Sequence, residues 1–224
     1  MAFDLSRRLA AEFMGTGTLV CAVVGSGIMA ERLTPDTALA LLANGLATAA
    51  ILVVLITTLG PISGAHFNPA VTAVFASRGW LPAREALAYA GAQVLGALVG
   101  TAVAHMMFVL PLFTPSMTPR IGPAQWLAEI AAAFGLVAAI LGGLRFKPEA
   151  VPWLVGLYIA SAYWFTASTS FANPAVTIGR TVTATFSGIR PWDAPAFIGA
   201  QLAGALLASL VFRWLLNDPS EDGA

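Results

Sequence analysis

Charge is scarce in this 224-residue chain. Asp, Glu, Lys and Arg make up 10% of it, where a soluble domain carries about 25%. The signs balance to zero, which removes any electrostatic basis for binding nucleic acid. Cysteine is limited to Cys21, inside an apolar run, so no intramolecular disulfide can form and the thiol is expected to pack. Histidine is limited to His66 and His105. With one cysteine and scattered carboxylates beside them, there is no metal-ligand cluster and no nucleophile–base pair. Neither an enzyme nor a cofactor is expected.

What the chain has instead is apolar length. Hydrophobic residues make up 58% of it, and the mean hydropathy is +0.81. That composition points to an integral membrane protein. A hydrocarbon core of about 30 Å takes about 20 apolar residues as a helix. Six stretches meet that length: Leu9 to Met29, Ala38 to Leu59, Ala86 to Leu110, Gln125 to Leu144, Pro152 to about Thr169, and Ala194 to Leu216. The first follows Arg7 and Arg8, as a signal peptide would, but it is long and has no clear small-residue cleavage site before Glu31. It is expected to be a retained span. His105, late in the third span, is expected to be structural or interfacial. Trp153, Trp164 and Tyr163 are expected to be core or interface aromatics.

Two apolar pieces remain, Gly60 to Ser77 and Ser170 to about Phe186. Each is broken by Gly or Pro, and each contains NPAVT, at Asn68–Thr72 and Asn173–Thr177. About ten helical residues cover about half the core. Irregular backbone at membrane depth is tolerated where it is buried in protein or lines a watery cavity. Both pieces therefore read as half-helices entered through dipping loops.

The repetition extends to the whole half-chain. LAAEFMGTGTLV pairs with WLAEIAAAFGLV, and YAGAQVLGALVGT pairs with FIGAQLAGALLAS. The order Glu12, Asn68, Gln93 recurs as Glu129, Asn173, Gln201. Three spans per half is an odd number, so the second half must enter from the opposite face. The expected fold is all-α and membrane-embedded, with six transmembrane helices and two re-entrant half-helices in an inverted 3+3 repeat. Chain 1–224 is one domain, with repeats at about 7–110 and 124–216 and a polar tail at 217–224. The inner segments hold Arg7, Arg8, Arg78, Arg84, Arg145, Lys147 and Arg213. The outer ones hold Arg32, Arg120 and Arg190, with Arg180 in the dipping segment. That bias places both termini in the cytoplasm.

Asn is a preferred N-cap and Pro a preferred first helical residue. Each NPAVT should therefore start its half-helix, with Asn68 or Asn173 capping, Pro69 or Pro174 next, and Ala70 or Ala175 following. Inversion brings the two N-termini together. Each carries roughly +0.5 of an elementary charge. Two amide donors in a positive field suit a neutral polar solute and repel a cation, hydronium included. Loop carbonyls around Gly64 to Phe67 and Ser168 to Ala172 supply acceptors. Glu12 and Glu129 either relay protons or accept hydrogen bonds from the dipping loops. Gly15, Gly17, Gly96, Gly100 and Gly204 are expected to let helices approach closely.

AEFMGT, SGAHFNPAV, the second NPA and the two AQ-x₂-GA segments resemble the aquaporin and aquaglyceroporin family of major intrinsic proteins, over about Arg7 to Leu216. The resemblance implies a passive channel for water or small uncharged solutes, a homotetramer, a structural role for both glutamates and a pore-lining role for His66 beside Gly64 and Ala65. Most members carry Arg directly after the second NPA; here that residue is Val176. Counting from the two asparagines puts the other filter positions at Thr48, Ser161 and Ser170; a shift of one gives Ala162 or Phe171. Thr, Ser, Ser and Val would form a wide, mildly polar constriction. Arg180 lies one turn beyond Val176, on the same helix face. It either reaches back over Val176 or caps loop carbonyls or Asp193. Val at this position resembles a bacterial aquaglyceroporin subgroup associated with arsenical permeation, which implies an inner-membrane channel for glycerol, urea or arsenous acid. A water-selective channel and a proton-coupled transporter are the alternatives.

Overall fold

The computed structural model describes residues 3–217. Residues 218–224, nearly all of the polar tail, lie outside the described residues. The elements in chain order are α1 (Leu5–Leu33), α2 (Thr37–Ser63), α3 (Pro69–Ser77), α4 (Ala83–Met107), α5 (Pro123–Phe146), a 3₁₀ turn (Pro148–Ala150), α6 (Val151–Phe165), α7 (Pro174–Thr181) and α8 (Ala194–Leu215). Local chemistry sets several of the starts. Asp4 accepts from Arg7 N at the head of α1, and Asp36 accepts from Ala38 N and Leu39 N at the head of α2. Proline occupies the first turn of α3, α5, α6, α7 and α8, where its missing N–H leaves no helix bond unmade. α2 tolerates Pro61 near its end and stops at Gly64 in the left-handed region, φ 88°.

Among the described residues, five helices, α1, α2, α4, α5 and α8, are long and apolar enough to cross a membrane. α6 is shorter than its sequence suggested. The apolar run continues to about Thr169, but the helix ends at Phe165. Thr166 turns extended, and Thr169 and Ser170 take φ of 62° and 51°, which no helix continues through.

Burial is inverted relative to a water-soluble bundle. Leu46, Leu87, Leu95, Leu127, Leu157 and Leu210 are exposed, while Glu12, Gln93, Glu129 and Gln201 are fully buried. Apolar outside and ionisable inside is the arrangement a hydrocarbon solvent selects. α1 packs most extensively along α4, and α5 along α8. Both pairings depend on glycine. A Cβ at Gly100 would overlap the Gly17 carbonyl oxygen, and one at Gly204 would overlap the Ile130 carbonyl oxygen. Gly204→Val is therefore expected to push α8 off α5 and abolish recovery of monodisperse protein in mild detergent. Gly91→Ala, where a Cβ meets open space, is the control that should leave recovery unchanged. Equal recovery of both variants would sink this account.

Candidate functional site

The two buried carboxylates set the site's framework. Glu12 Oε1 accepts from Ser63 Oγ at 2.6 Å and His66 N at 3.0 Å; its Oε2 accepts from Phe67 N at 2.7 Å and Gln93 Nε2 at 2.8 Å. Glu129 does the same in the second half. Its Oε1 accepts from Phe171 N at 3.0 Å, and its Oε2 from Ala172 N at 2.9 Å and Gln201 Nε2 at 2.6 Å. Each glutamine amide also donates to the threonine of the nearby NPAVT: Gln93 to Thr72 at 3.0 Å, Gln201 to Thr177 at 2.8 Å. The dipping loops need such anchors because their backbone is strained. Ala65, Phe67, Ser170 and Ala172 all lie at φ of 49° to 51°, a conformation costing roughly 1–2 kcal/mol for a residue with a Cβ. These residues stand three and one positions before Asn68 and before Asn173, so the strain repeats position by position.

The two asparagines then lock the loops to each other. Asn68 Oδ1 accepts from Ala70 N at 2.8 Å, and Asn173 Oδ1 from Ala175 N at 2.9 Å. Each side-chain amide crosses to the other half: Asn68 Nδ2 donates to Ala172 O at 2.7 Å, and Asn173 Nδ2 donates to Phe67 O at 2.8 Å. An amide nitrogen has two hydrogens. One is spent on the opposite loop, which leaves one N–H on each asparagine for a guest.

A single cavity runs past this meeting point. Thr48, Leu52 and Ile56 line it from α2, Leu136, Ile140 and Leu144 from α5, and Val155, Ile159 and Tyr163 from α6. The spacing of four within each set puts one stripe of each helix on the wall. Gly64, Ala65, His66 and Phe67 line it too, with Asn68, Ser170, Phe171 and Asn173. The lining thus joins apolar helix stripes to loop residues that bring backbone carbonyls and amide donors. His66 lies 4.3 Å from the Phe75 ring, centroid to centroid. Its Nδ1 is 3.1 Å from Thr72 Oγ1. That hydroxyl also accepts from Gln93, which ties His66 to the Glu12 network.

The family model of the major intrinsic proteins matches residues 1–147 and 143–223. This chain belongs to the major intrinsic protein family. Among curated relatives, it is 66% identical to the Aquaglyceroporin AqpS of Rhizobium meliloti over 96% of this chain and 92% of that one. It is 28% identical to an Aquaporin Z of Bradyrhizobium diazoefficiens over 96% and 95%. The X-ray structure of the aquaglyceroporin from Plasmodium falciparum shares its fold, with a TM-score of 0.67 at 22% identity, covering 93% of this chain and 96% of that chain.

For a major intrinsic protein, the end of the cavity beyond Asn173 is where selection is expected, and here the residues depart from a gap-free count. Ser161 does not reach the cavity. It is exposed on the outer face of α6, and its hydroxyl donates to Tyr158 O. The wall stripe on α6 passes through Ile159 and Tyr163, and two residues' rotation from either carries Ser161 about 200° away. Ala162, the one-residue alternative, is buried but is no part of the wall. Tyr163 lines the cavity from α6 instead. Thr48 Oγ1 donates to Asn44 O at 2.8 Å, so Tyr163 Oη, 3.1 Å away, donates to Thr48. The i, i+4 series Val155, Ile159, Tyr163 was the signal that could have found it. Thr48, Ser170, Phe171 and Val176 line the same cavity.

Arg180 lines it too, and it is almost wholly buried. Its Nε donates to Ser187 O, and its guanidinium carbon sits 3.3 Å from the centroid of the Phe171 ring. Asp193 is not its partner: that carboxylate takes Arg190 Nε at 2.9 Å and Arg120 N at 2.9 Å. Burial pushes the Asp193 carboxyl up, and the bonds from Arg190 and the Arg120 amide outweigh it, holding the carboxyl below the ordinary aspartate value. Arg120, which the sequence marked only as an outer charge, donates to Gly188 O at 3.0 Å and to Ser168 O at 3.1 Å. Its guanidinium lies 4.8 Å from the same Phe171 ring.

Proposed function

We propose that this protein is a passive channel of the aquaglyceroporin kind, admitting small uncharged polar solutes and water while excluding protons and ions. The observation that carries this reading is the cavity at the meeting of the asparagines, lined both by apolar helix stripes and by polar loop residues. A solute with a lone pair takes the remaining N–H of Asn68 and Asn173 and leans its carbons on the α2, α5 and α6 stripes. A cation meets two helix N-termini, each worth roughly +0.5 of an elementary charge. Glycerol, urea and arsenous acid fit the description, and the similarity to a Rhizobium aquaglyceroporin supports it.

In this reading α6 serves as a short fifth span and α3 and α7 are the re-entrant half-helices of an inverted 3+3 repeat. The position-by-position recurrence of Glu, Asn, Gln and the strained loops supports it. The chain is one channel domain, with repeats at about 7–110 and 124–216. It sits in the bacterial inner membrane with cytoplasmic termini and assembles as a homotetramer, as the family resemblance implies. Asn68, Pro69, Ala70, Asn173, Pro174 and Ala175 form the pore centre. Gly64, Ala65 and His66 line the inner path. Thr48, Tyr163, Ser170, Phe171, Val176 and Arg180 set the filter.

Tyr163 and Arg180 bring an aromatic ring and a guanidinium to the outer mouth, and that observation favours the water-selective alternative. Proteoliposomes placed in gradients of sucrose, glycerol, urea or arsenite separate the two by their swelling rates. We expect fast water flux together with glycerol and arsenite flux above protein-free vesicles, and no dissipation of an imposed pH gradient. Water flux alone would overturn the solute reading, and uptake that collapses with the pH gradient would point to a coupled transporter.

A further inference from the structure

Arg180 poses a problem that the neutral-solute reading does not absorb. Its Nε is held by Ser187 O, but among the described residues neither of its Nη nitrogens has a hydrogen-bond acceptor. A guanidinium presents five N–H donors in a planar fork. Leaving that fork unmatched in a buried site is costly unless a guest or solvent fills it. Ser170 lines the same cavity, but its hydroxyl is buried out of a guest's reach, so the Arg180 fork is the donor left facing the space.

The electrostatics there are one-sided. Arg120 and Arg180 share the Phe171 ring, at 4.8 and 3.3 Å from its centroid. The nearby carboxylates are engaged elsewhere: Glu129 by two loop amides and Gln201, Asp193 by Arg190 and the Arg120 backbone. The ring face attracts both cations but supplies no formal negative charge. Two positive groups without a free carboxylate make the outer mouth a sink for negative charge.

We infer that the outer mouth is a binding site for small oxyanions, in which two oxygens of one guest take the Nη fork of Arg180. The inference rests on the channel reading above for its consequence, since a bound anion stands in the solute path. The chemical class is a compact acid with two or three oxygens on one centre, such as a carboxylate, phosphonate or comparable oxyacid. A fork of parallel N–H donors matches two such oxygens bidentately, which a single-oxygen solute cannot do. Bound there, the anion occludes entry.

Methylphosphonate is the probe, with chloride at equal ionic strength as the control. Glycerol and water flux are recorded in proteoliposomes of wild type, Arg180→Gln and Arg180→Lys. In wild type, externally added methylphosphonate should slow both fluxes in a saturable way that chloride does not reproduce. Arg180→Gln should weaken the block about tenfold or more, the loss expected for a charge-assisted pair. Arg180→Lys, which keeps the charge but loses the planar fork, should weaken it by a smaller factor. Normal flux without any block in wild type would overturn the oxyanion site and leave the channel reading standing. A block in Arg180→Gln as strong as in wild type would also overturn it. Should Arg180→Gln fail to fold, Arg180→Lys decides, an undiminished block overturning the site. Should wild type pass neither solute nor water, the channel reading fails, and the site is read by the shift of the thermal midpoint in detergent: a rise with methylphosphonate and none with chloride supports it, and no difference between the two overturns it.

Discussion

Glu129→Leu is expected to leave no recoverable folded protein, with Glu129→Gln retaining part of it. The carboxylate accepts from Phe171 N, Ala172 N and Gln201 Nε2, all at 3.0 Å or less and fully buried. Leucine orphans all three donors. Each costs about 1–3 kcal/mol, so the total is about 3–9 kcal/mol. A typical domain has about 5–15 kcal/mol in all. The loop also holds Thr169, Ser170 and Ala172 at positive φ, a strain that persists only while the carboxylate grips it. Glutamine keeps one acceptor oxygen and so loses less. Glu12→Leu orphans Ser63 Oγ, His66 N, Phe67 N and Gln93 Nε2 and should behave the same way. Yield of monodisperse protein and the thermal midpoint in detergent are the measurements. A Glu129→Gln protein with a normal midpoint and abolished transport would instead make the carboxylate a proton carrier.

The same residues show what could be read in advance. NPAVT carries its own geometry, because Asn caps, Pro starts and the apolar flanks place the pair at membrane depth. Its duplication with Glu12, Gln93, Glu129 and Gln201 made the internal repeat readable without coordinates. The place of Thr48 on the cavity wall was reachable because the count from Asn68 crosses only four irregular residues, 64–67, before α2 runs unbroken from Ser63 back to Thr48. Ser161 was not, because the count from Asn173 crosses Thr166 to Ala172, where extended and left-handed residues replace the helix. Over such a stretch, residue number no longer fixes direction. Arg120 was unreadable for a different reason. It lies in an irregular loop before α5, and only the folded chain carries it 51 residues forward to the Phe171 ring.

Val176→Arg is expected to cut glycerol permeability about tenfold, or about 1.4 kcal/mol of added barrier, and water permeability by roughly threefold or less. Val176 lines the cavity one turn inside Arg180. An arginine there narrows the path and adds a donor fork that water can satisfy within its own size. Glycerol must instead shed water and thread three carbons past the same group. The two arginines would stand at i and i+4 on α7, both buried, where like charges disfavour each other by more than the few tenths of a kcal/mol found on an exposed helix, so the yield of monodisperse protein is measured beside the flux. Val176→Arg combined with Arg180→Val moves the guanidinium without adding one. If position sets selectivity, the double variant matches Val176→Arg in its glycerol-to-water ratio. If the number of guanidiniums sets it, the double variant returns to the wild-type ratio. Equal losses of glycerol and water flux in Val176→Arg would put the constriction elsewhere, and the Tyr163–Thr48 pair is the next place to narrow or open it.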